Sequence, residues 1–404
     1  MRVLIADKFD SSGIDRLKRV GCDVTSNPDL TPETLPAALG ELDPDVMIVR
    51  STRVPSAAIE AAGKLSLIVR AGAGYDNIDT AAASSRGIMV ANCPGKNAIA
   101  VAELAWGLIV SADRRIPDQT IELRAGKWNK KEYGKSRGLY GRTLGIIGIG
   151  AIGSEVIARG RAFGMRIVAW SRSLTVEKAD DLGIIYADSP IEVARQADVV
   201  SVHVALTPNT QHLCNAAFFD AMKDHAIFVN TSRGKVVDEA ALAKAVESKN
   251  LRVGLDVWEH QPAAGDSESD IAIARVPHVY GTHHCGASTD QSQAAIAAEA
   301  ARVVEVYKRE GQPPNVVNLL AKTRATRMLT VRHMNRPGVL AHVIGLLGEA
   351  GINIEEMDNV IYEGGDAACA RLSLGDEPAG DLVSKINDAS KHVISVNLTV
   401  IDES

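Results

Sequence analysis

Aromatic residues are scarce in this 404-residue chain, at 4% of the sequence with only five phenylalanines. Alanine and valine carry the apolar content, a balance suited to packed α/β layers rather than to a β-sandwich. Cysteine is also rare. Cys22, Cys93, Cys214, Cys285 and Cys369 are scattered, odd in number and form no C-x-x-C pair. That argues against a disulfide framework or a zinc site and fits a reducing compartment. No apolar run reaches the roughly 18 residues needed to cross a bilayer. Met1 to Asp7 reads as a strand rather than a signal peptide, because no apolar stretch follows it. A cytoplasmic protein is expected. Long basic runs are missing and the net charge is −6, so neither nucleic acid nor a membrane is an expected partner. A local basic pocket can still serve an anionic small molecule.

What is present is ordinary for a globular protein: 46% hydrophobic and 23% charged residues, over a length that suits about two or three domains. In the first third, Val3–Ala6, Asp23–Thr25, Val46–Val49, Leu67–Arg70 and Ile88–Ala91 read as strands. Helices such as Ser11–Val20 and Ser56–Ala62 fall between them. Apolar spacing predicts one long helix from about Asn97 to Arg124. A second strand series follows: Leu144–Ile147, Arg166–Trp170, Val199–Val202, Ala226–Asn230, Val253–Val257 and Val279–Gly281. Continuous apolar strands separated by helices imply parallel sheets covered on both faces, here two doubly wound α/β units. A helix runs from Thr289 to about Lys308, and from Arg327 a strand-helix-strand-strand-helix-strand order predicts a compact βαββαβ unit.

Gly148-Ile149-Gly150-Ala151-Ile152-Gly153 is a G-x-G-x-x-G between a strand and a helix. Its glycines allow a tight turn, backbone approach to a pyrophosphate and close helix packing, and the helix N-terminus attracts the phosphates. Gly148, Gly150, Ala151, Ile152 and Gly153 are therefore expected to bind a dinucleotide. An NAD site usually carries a carboxylate after the next strand. Here Ser171-Arg172 stands there, which removes the repulsion of a 2′-phosphate and predicts that NADP is accepted as well as NAD. Arg172 pointing only to solvent is the alternative.

Three further strand ends carry chemistry: Thr231-Ser232-Arg233, Asp256 after Gly254-Leu255, and His283-His284 before Cys285-Gly286. Ligands of open α/β sheets bind outside the carboxyl ends of strands, so an arginine and a histidine would converge there. Adjacent histidines on a strand end point to opposite sides and make no convincing metal site. Cys285 reads as a small packed residue.

These segments, with Arg70-Ala71-Gly72-Ala73-Gly74-Tyr75-Asp76-Asn77, resemble the D-isomer-specific 2-hydroxyacid dehydrogenase family over residues 1–320. The resemblance implies a discontinuous catalytic domain (residues 1–95 and 287–320) flanking an NAD(P)-binding domain (96–286). It also implies that His284 is the acid/base, with His283 as the alternative, and that Arg233 anchors the substrate. Thr231, Ser232, Arg233, Asp256, His284 and Gly286 would lie at the cofactor. One departure stands out: the family places a glutamate before the proline after Asp256, where it orients the histidine. Gln261 occupies that position. An amide can orient an imidazole but cannot stabilise its cation with a charge, and Glu259 is the alternative partner.

Within the family, Val49-Arg50-Ser51-Thr52-Arg53-Val54 and Trp128-Asn129-Lys130 resemble the branch that oxidises D-3-phosphoglycerate in the first step of L-serine biosynthesis. That implies Arg50, Arg53 and Lys130 at the substrate phosphate, with Ala73, Gly74 and Asn97 also at the substrate. Residues 326–404, through His333-Met334-Asn335-Arg336-Pro337-Gly338 and Gly351-Ile352-Asn353, resemble an ACT regulatory domain. His333, Asn335 and Asn353 would bind L-serine as a feedback inhibitor where domains pair in a homodimer or homotetramer. Two other readings stay open: an NADP-linked hydroxypyruvate or glyoxylate reductase, favoured by Ser171-Arg172, and a non-catalytic dinucleotide sensor, favoured by Gln261.

Overall fold

β-branched residues stiffen the short strands of the first third, which pair into a fully parallel sheet. The computed structural model describes residues 1–262, 268–320, 323–388 and 390–401. β1 (Arg2–Ile5), β2 (Asp23–Ser26), β3 (Val46–Val49), β4 (Leu67–Arg70) and β5 (Met89–Ala91) lie in the order β2-β1-β3-β4-β5. Every residue of β3 is buried, as a strand covered on both faces requires. Leu4, Met47 and Ile68 enter the cluster on one face, and Val3, Ile5 and Ile48 that on the other. The helix Asp290–Glu310 returns to this sheet and packs Ile296, Ala300 and Val303 into the second cluster. Thr289 caps its start and Gly311, at φ 74°, ends it.

The second sheet has seven parallel strands: β6 (Thr143–Ile147), β7 (Arg166–Trp170), β8 (Ile185–Tyr186), β9 (Val199–Val202), β10 (Ile227–Asn230), β11 (Arg252–Leu255) and β12 (Val279–Gly281). Their order, β12-β11-β10-β9-β6-β7-β8, reverses between β6 and β9. That reversal opens a crevice at the carboxyl ends of the strands. Leu319–Ser404 forms a separate unit. Its strands β13 (Arg327–Met334), β14 (Ile354–Ile361), β15 (Ala367–Leu374) and β16 (Val393–Val400) make an antiparallel sheet in the order β14-β15-β13-β16. Leu329, Val331 and Leu372 pack against Val343 and Leu347 of one helix and Ile386 of another.

Two expectations need correction. The long helix expected over 97–124 is two, Ala98–Arg114 and Ile116–Arg124. Pro117 lacks the N–H that would continue the first helix, and it fits the opening turn of a new one. Arg115 makes the break at φ 52°; its guanidinium bonds Glu132 at 2.9 Å and lies over the Tyr133 ring. The expected strands also omit β8, whose two residues are both exposed and too few to show a period. Among the described residues, no helix is long and apolar enough to cross a membrane.

Three of the five phenylalanines, Phe218, Phe219 and Phe228, meet edge to face with centroids 5.2–6.1 Å apart beneath the second sheet. With so few aromatics, this cluster concentrates apolar packing in one place. Phe228→Ala is expected to cost about 3–5 kcal/mol. Urea unfolding of the variant against the parent measures it, and a loss below about 1 kcal/mol would contradict this packing.

Candidate functional site

The glycine turn follows β6. Gly148 sits at φ 97°, and a side chain there would meet the His203 carbonyl oxygen at 2.6 Å. At Gly153 an added Cβ would lie 2.1 Å from the Gly148 carbonyl oxygen, whereas above Gly150 the space is open. The helix Ala151–Ala162 starts here with no side-chain cap, so its first N–H groups face the opening over Gly150. That opening suits a diphosphate. Across the crevice, the Thr231 hydroxyl is buried without a partner, as a group awaiting a ligand would be. Ser171 lines a cavity beside Ile149, while Arg172 is exposed.

Arg233 follows β10. Asn230, fully buried, clamps that turn: its amide accepts from the Ser232 N–H and hydroxyl and donates to the Arg233 carbonyl. The guanidinium bonds Asp76 through Nε (3.2 Å) and Nη2 (2.9 Å), and the Ser232 carbonyl through Nη1 (2.8 Å). One N–H remains free on each terminal nitrogen, a pair able to fork a carboxylate. Gly74 makes room for it, since a Cβ there would lie 1.7 Å from Nη2.

His284, at φ 52°, is positioned through Asp256. The Asp256 carboxylate is 1% exposed and accepts from the Thr282 hydroxyl (2.6 Å) and from the Cys285 and Gly286 N–H groups (2.9 Å each). Those three donors engage Asp256, expected at the cofactor, in holding the histidine turn. Its backbone carbonyl also accepts from the His284 N–H. Gly286 is required there, because a Cβ would come within 2.9 Å of the same carboxylate. Gln261 Nε2 lies 2.7 Å from His284 Nδ1, and Gln261 Oε1 accepts from the Trp258 N–H at 3.2 Å. Held this way, the amide donates to Nδ1 and leaves the imidazole proton on Nε2. Glu259 does not reach the histidine; it bonds His212 at 2.6 Å. Burial, and then the neighbouring Arg233 cation, hold the His284 pKa below the ordinary histidine value against the opposing pull of Asp256 and Asp76.

Arg50, Arg70, Asn97, Arg233, Gln261 and His284 line one cleft, and Asp76 is the only acid among its described lining residues. Arg50 follows β3 and reaches Gln293 and Ser288 at 3.3 Å each. Asp7 shapes that loop by accepting from the Arg50, Ser51 and Thr52 N–H groups. Arg70, at the end of β4, went unassigned in the sequence reading. Its Nε is buried without a partner, and burial first, then Arg233, lower its pKa to about 10. The signal available in sequence was Gly72, where a Cβ would lie 1.5 Å from the Arg70 guanidinium.

Other expected residues sit apart. Arg53 is exposed and outside the cleft lining, because the loop turns away to bridge Val54 with Ile78. Lys130 lines a separate depression with Trp128. Ala73 is outside the cleft lining, and its carbonyl accepts from the Asn92 amide. His283 lines the same cleft as His284. In the C-terminal unit, His333 is buried and faces Asn359, Asn335 donates to the Gly365 carbonyl, and Asn353 to Glu355. His333 pairs with Ala368, whereas the Asn353 carbonyl accepts from Gly375. Those ends of β15 are roughly 20 Å apart at strand rise. One copy cannot bring the three together.

Residues 106–286 match the D-isomer specific 2-hydroxyacid dehydrogenase, NAD binding domain. The chain is 39% identical over 321 residues to the D-3-phosphoglycerate dehydrogenase of Methanocaldococcus jannaschii, covering 79% of this chain and 60% of that protein. To the hydroxypyruvate reductase of Thermotoga maritima it is 42% identical, covering 66% of this chain and 85% of that one. A solved structure of the TT0316 protein from Thermus thermophilus superposes with a TM-score of 0.69 at 31% identity, over 78% of this chain and all of that one. The match thus spans about three fifths of the length of the Methanocaldococcus jannaschii protein.

Replacing Gln261 by Glu would put a negative charge where an amide N–H now faces Nδ1. The carboxylate favours the imidazolium, so the His284 titration midpoint should rise above its parent value. An NMR titration of the His284 ring protons reads this directly, and an unchanged midpoint would show that the two side chains do not interact.

Proposed function

Because the chain belongs to the D-isomer specific 2-hydroxyacid dehydrogenase family, we propose that it moves hydride between NAD or NADP and a small, doubly anionic 2-hydroxy acid. D-3-phosphoglycerate is the substrate we infer, with 3-phosphohydroxypyruvate as product, the first step of L-serine biosynthesis. The observation that carries this reading is the convergence of Arg50, Arg70 and Arg233 on one cleft with a single carboxylate among its described lining residues, in a protein whose net charge is negative. Such a cleft suits a carboxylate and a phosphate on one small molecule.

The nicotinamide, when bound, supplies or accepts the hydride. Arg233 holds the substrate carboxylate and carbonyl with its two free N–H groups. His284 exchanges the proton at the substrate oxygen through Nε2. Both giving and taking it need a proton on Nδ1, so the Gln261 amide turns its Oε1 toward Nδ1 in the working state. Arg50 and Arg70 hold the phosphate, and filling that subsite relieves the unpaired charge of Arg70. Gly148 to Gly153 and Thr231 hold the dinucleotide. We assign residues 1–95 with 287–320 to the catalytic domain, 96–286 to the cofactor domain and 326–404 to an ACT domain. Serine feedback then requires a site shared by two copies, with His333 and Asn335 from one and Asn353 from the other.

The missing carboxylate after β7 favours a second reading, an NADP-linked hydroxypyruvate reductase. Initial rates with NAD or NADP on D-3-phosphoglycerate and with NADH or NADPH on hydroxypyruvate, with and without serine, test both. Turnover on hydroxypyruvate alone would select the reductase, and no effect of millimolar serine would leave the C-terminal unit an assembly element. Arg70→Met should raise KM for the phosphorylated substrate about tenfold, as loss of one charge-assisted contact does. The same variant should change KM for hydroxypyruvate little; equal effects on both would remove Arg70 from the phosphate subsite.

A further inference from the structure

The cavity beside the carboxyl end of β7 holds a charge that lies outside the glycine motif and outside Ser171-Arg172. Ile149, Ser171, Ser173, Leu174, Lys178 and Asp181 line it. Gly148 N–H donates to the Trp170 carbonyl at 2.8 Å and Leu174 N–H to the Ser171 carbonyl at 3.1 Å. The tight turn leads into the helix Val176–Asp181, whose exposed Lys178 lines the cavity together with Ser171, the residue after β7.

Position in the sheet says which half of a dinucleotide would lie here. Arg233 and His284 follow β10 and β12, on one side of the reversal between β6 and β9, whereas β7 lies on the other. A dinucleotide crossing the glycine turn with its nicotinamide beside Arg233 and His284 places its adenosine ribose at the end of β7. A carboxylate after β7 would accept the ribose hydroxyls and repel a phosphate. Ser171 can accept from a hydroxyl but carries no charge to repel a phosphate.

We propose that Lys178 reads the 2′ position of the adenosine ribose and selects a 2′-phosphorylated dinucleotide; this rests on the dinucleotide reading above. Lys178 stands exposed on the cavity wall, and its backbone N–H is held by the Thr175 hydroxyl at 3.3 Å. The ammonium can thus meet a phosphate as a point charge, with the Ser171 and Ser173 hydroxyls as additional donors. Asp181 lines the same cavity and opposes an anion, one negative charge against those of Lys178 and the exposed Arg172. A 2′-hydroxyl gains little from an ammonium, so Lys178 discriminates between the two cofactors.

Calorimetric titration of the full chain with NADH, NADPH and adenosine 2′,5′-bisphosphate tests this without turnover. Lys178→Met should weaken NADPH and the bisphosphate about tenfold relative to NADH, and the difference should shrink as salt is added. An unchanged ratio of NADPH to NADH affinity overturns the proposal, as does a loss seen only with Arg172→Met. If neither dinucleotide binds the parent protein, the reading of the glycine turn fails and this inference falls with it.

Discussion

A parallel sheet covered on both faces can present reactive groups only where its strands end, because every side chain along the strands is committed to packing. Both large sheets obey this constraint, and the cleft is the result. Arg50 follows β3 and Arg70 ends β4 of the five-stranded sheet, while Arg233 and His284 follow strands of the seven-stranded one. Two sets of strand ends therefore supply one site. Asp256 carries the constraint to its finest detail. A carboxylate so deeply buried is tolerable only with its oxygens satisfied, and the three groups that satisfy it belong to the turn bearing His284.

Electrostatics in the cleft follow from how unevenly the charges are paired. Arg233 is shared between Asp76 and the Ser232 carbonyl, yet Arg70 keeps a buried nitrogen unbonded. Such an arrangement is costly in the free protein and is relieved by an anion. Burial, and then the same cations, depress the affinity of His284 for its proton. In the free protein Gln261 offers Nδ1 an N–H without a charge, held in that sense by the Trp258 backbone. The amide thereby orients the ring without favouring its cation.

Much of the fold was legible as β-branched runs with turn signals between them, from Val46–Val49 to Val199–Val202. The fold departs from sequence reading where local pattern is weak or overruled. Ile185–Tyr186 pairs only because β7 offers an edge, and Arg115 adopts a left-handed turn because Pro117 ends the helix before it. The glycine turn was legible because each glycine answers a distinct steric demand. Arg70 was not, since a guanidinium at a strand end looks like any exposed charge until Gly72 and Gly74 are seen making space for it and for Arg233.

Sequence alone determined the elements, the glycine turn, the presence of an arginine and a histidine at strand ends, and the substitution of Gln261, because these depend on residue type and near neighbours. Tertiary structure decided which of the basic residues share a cleft, which carboxylate supports the histidine turn, and which way the Gln261 amide faces. It also separated Asn353 from His333 by the length of a strand. These are matters of distance between segments far apart in the chain, and spacing along a sequence carries no such distances.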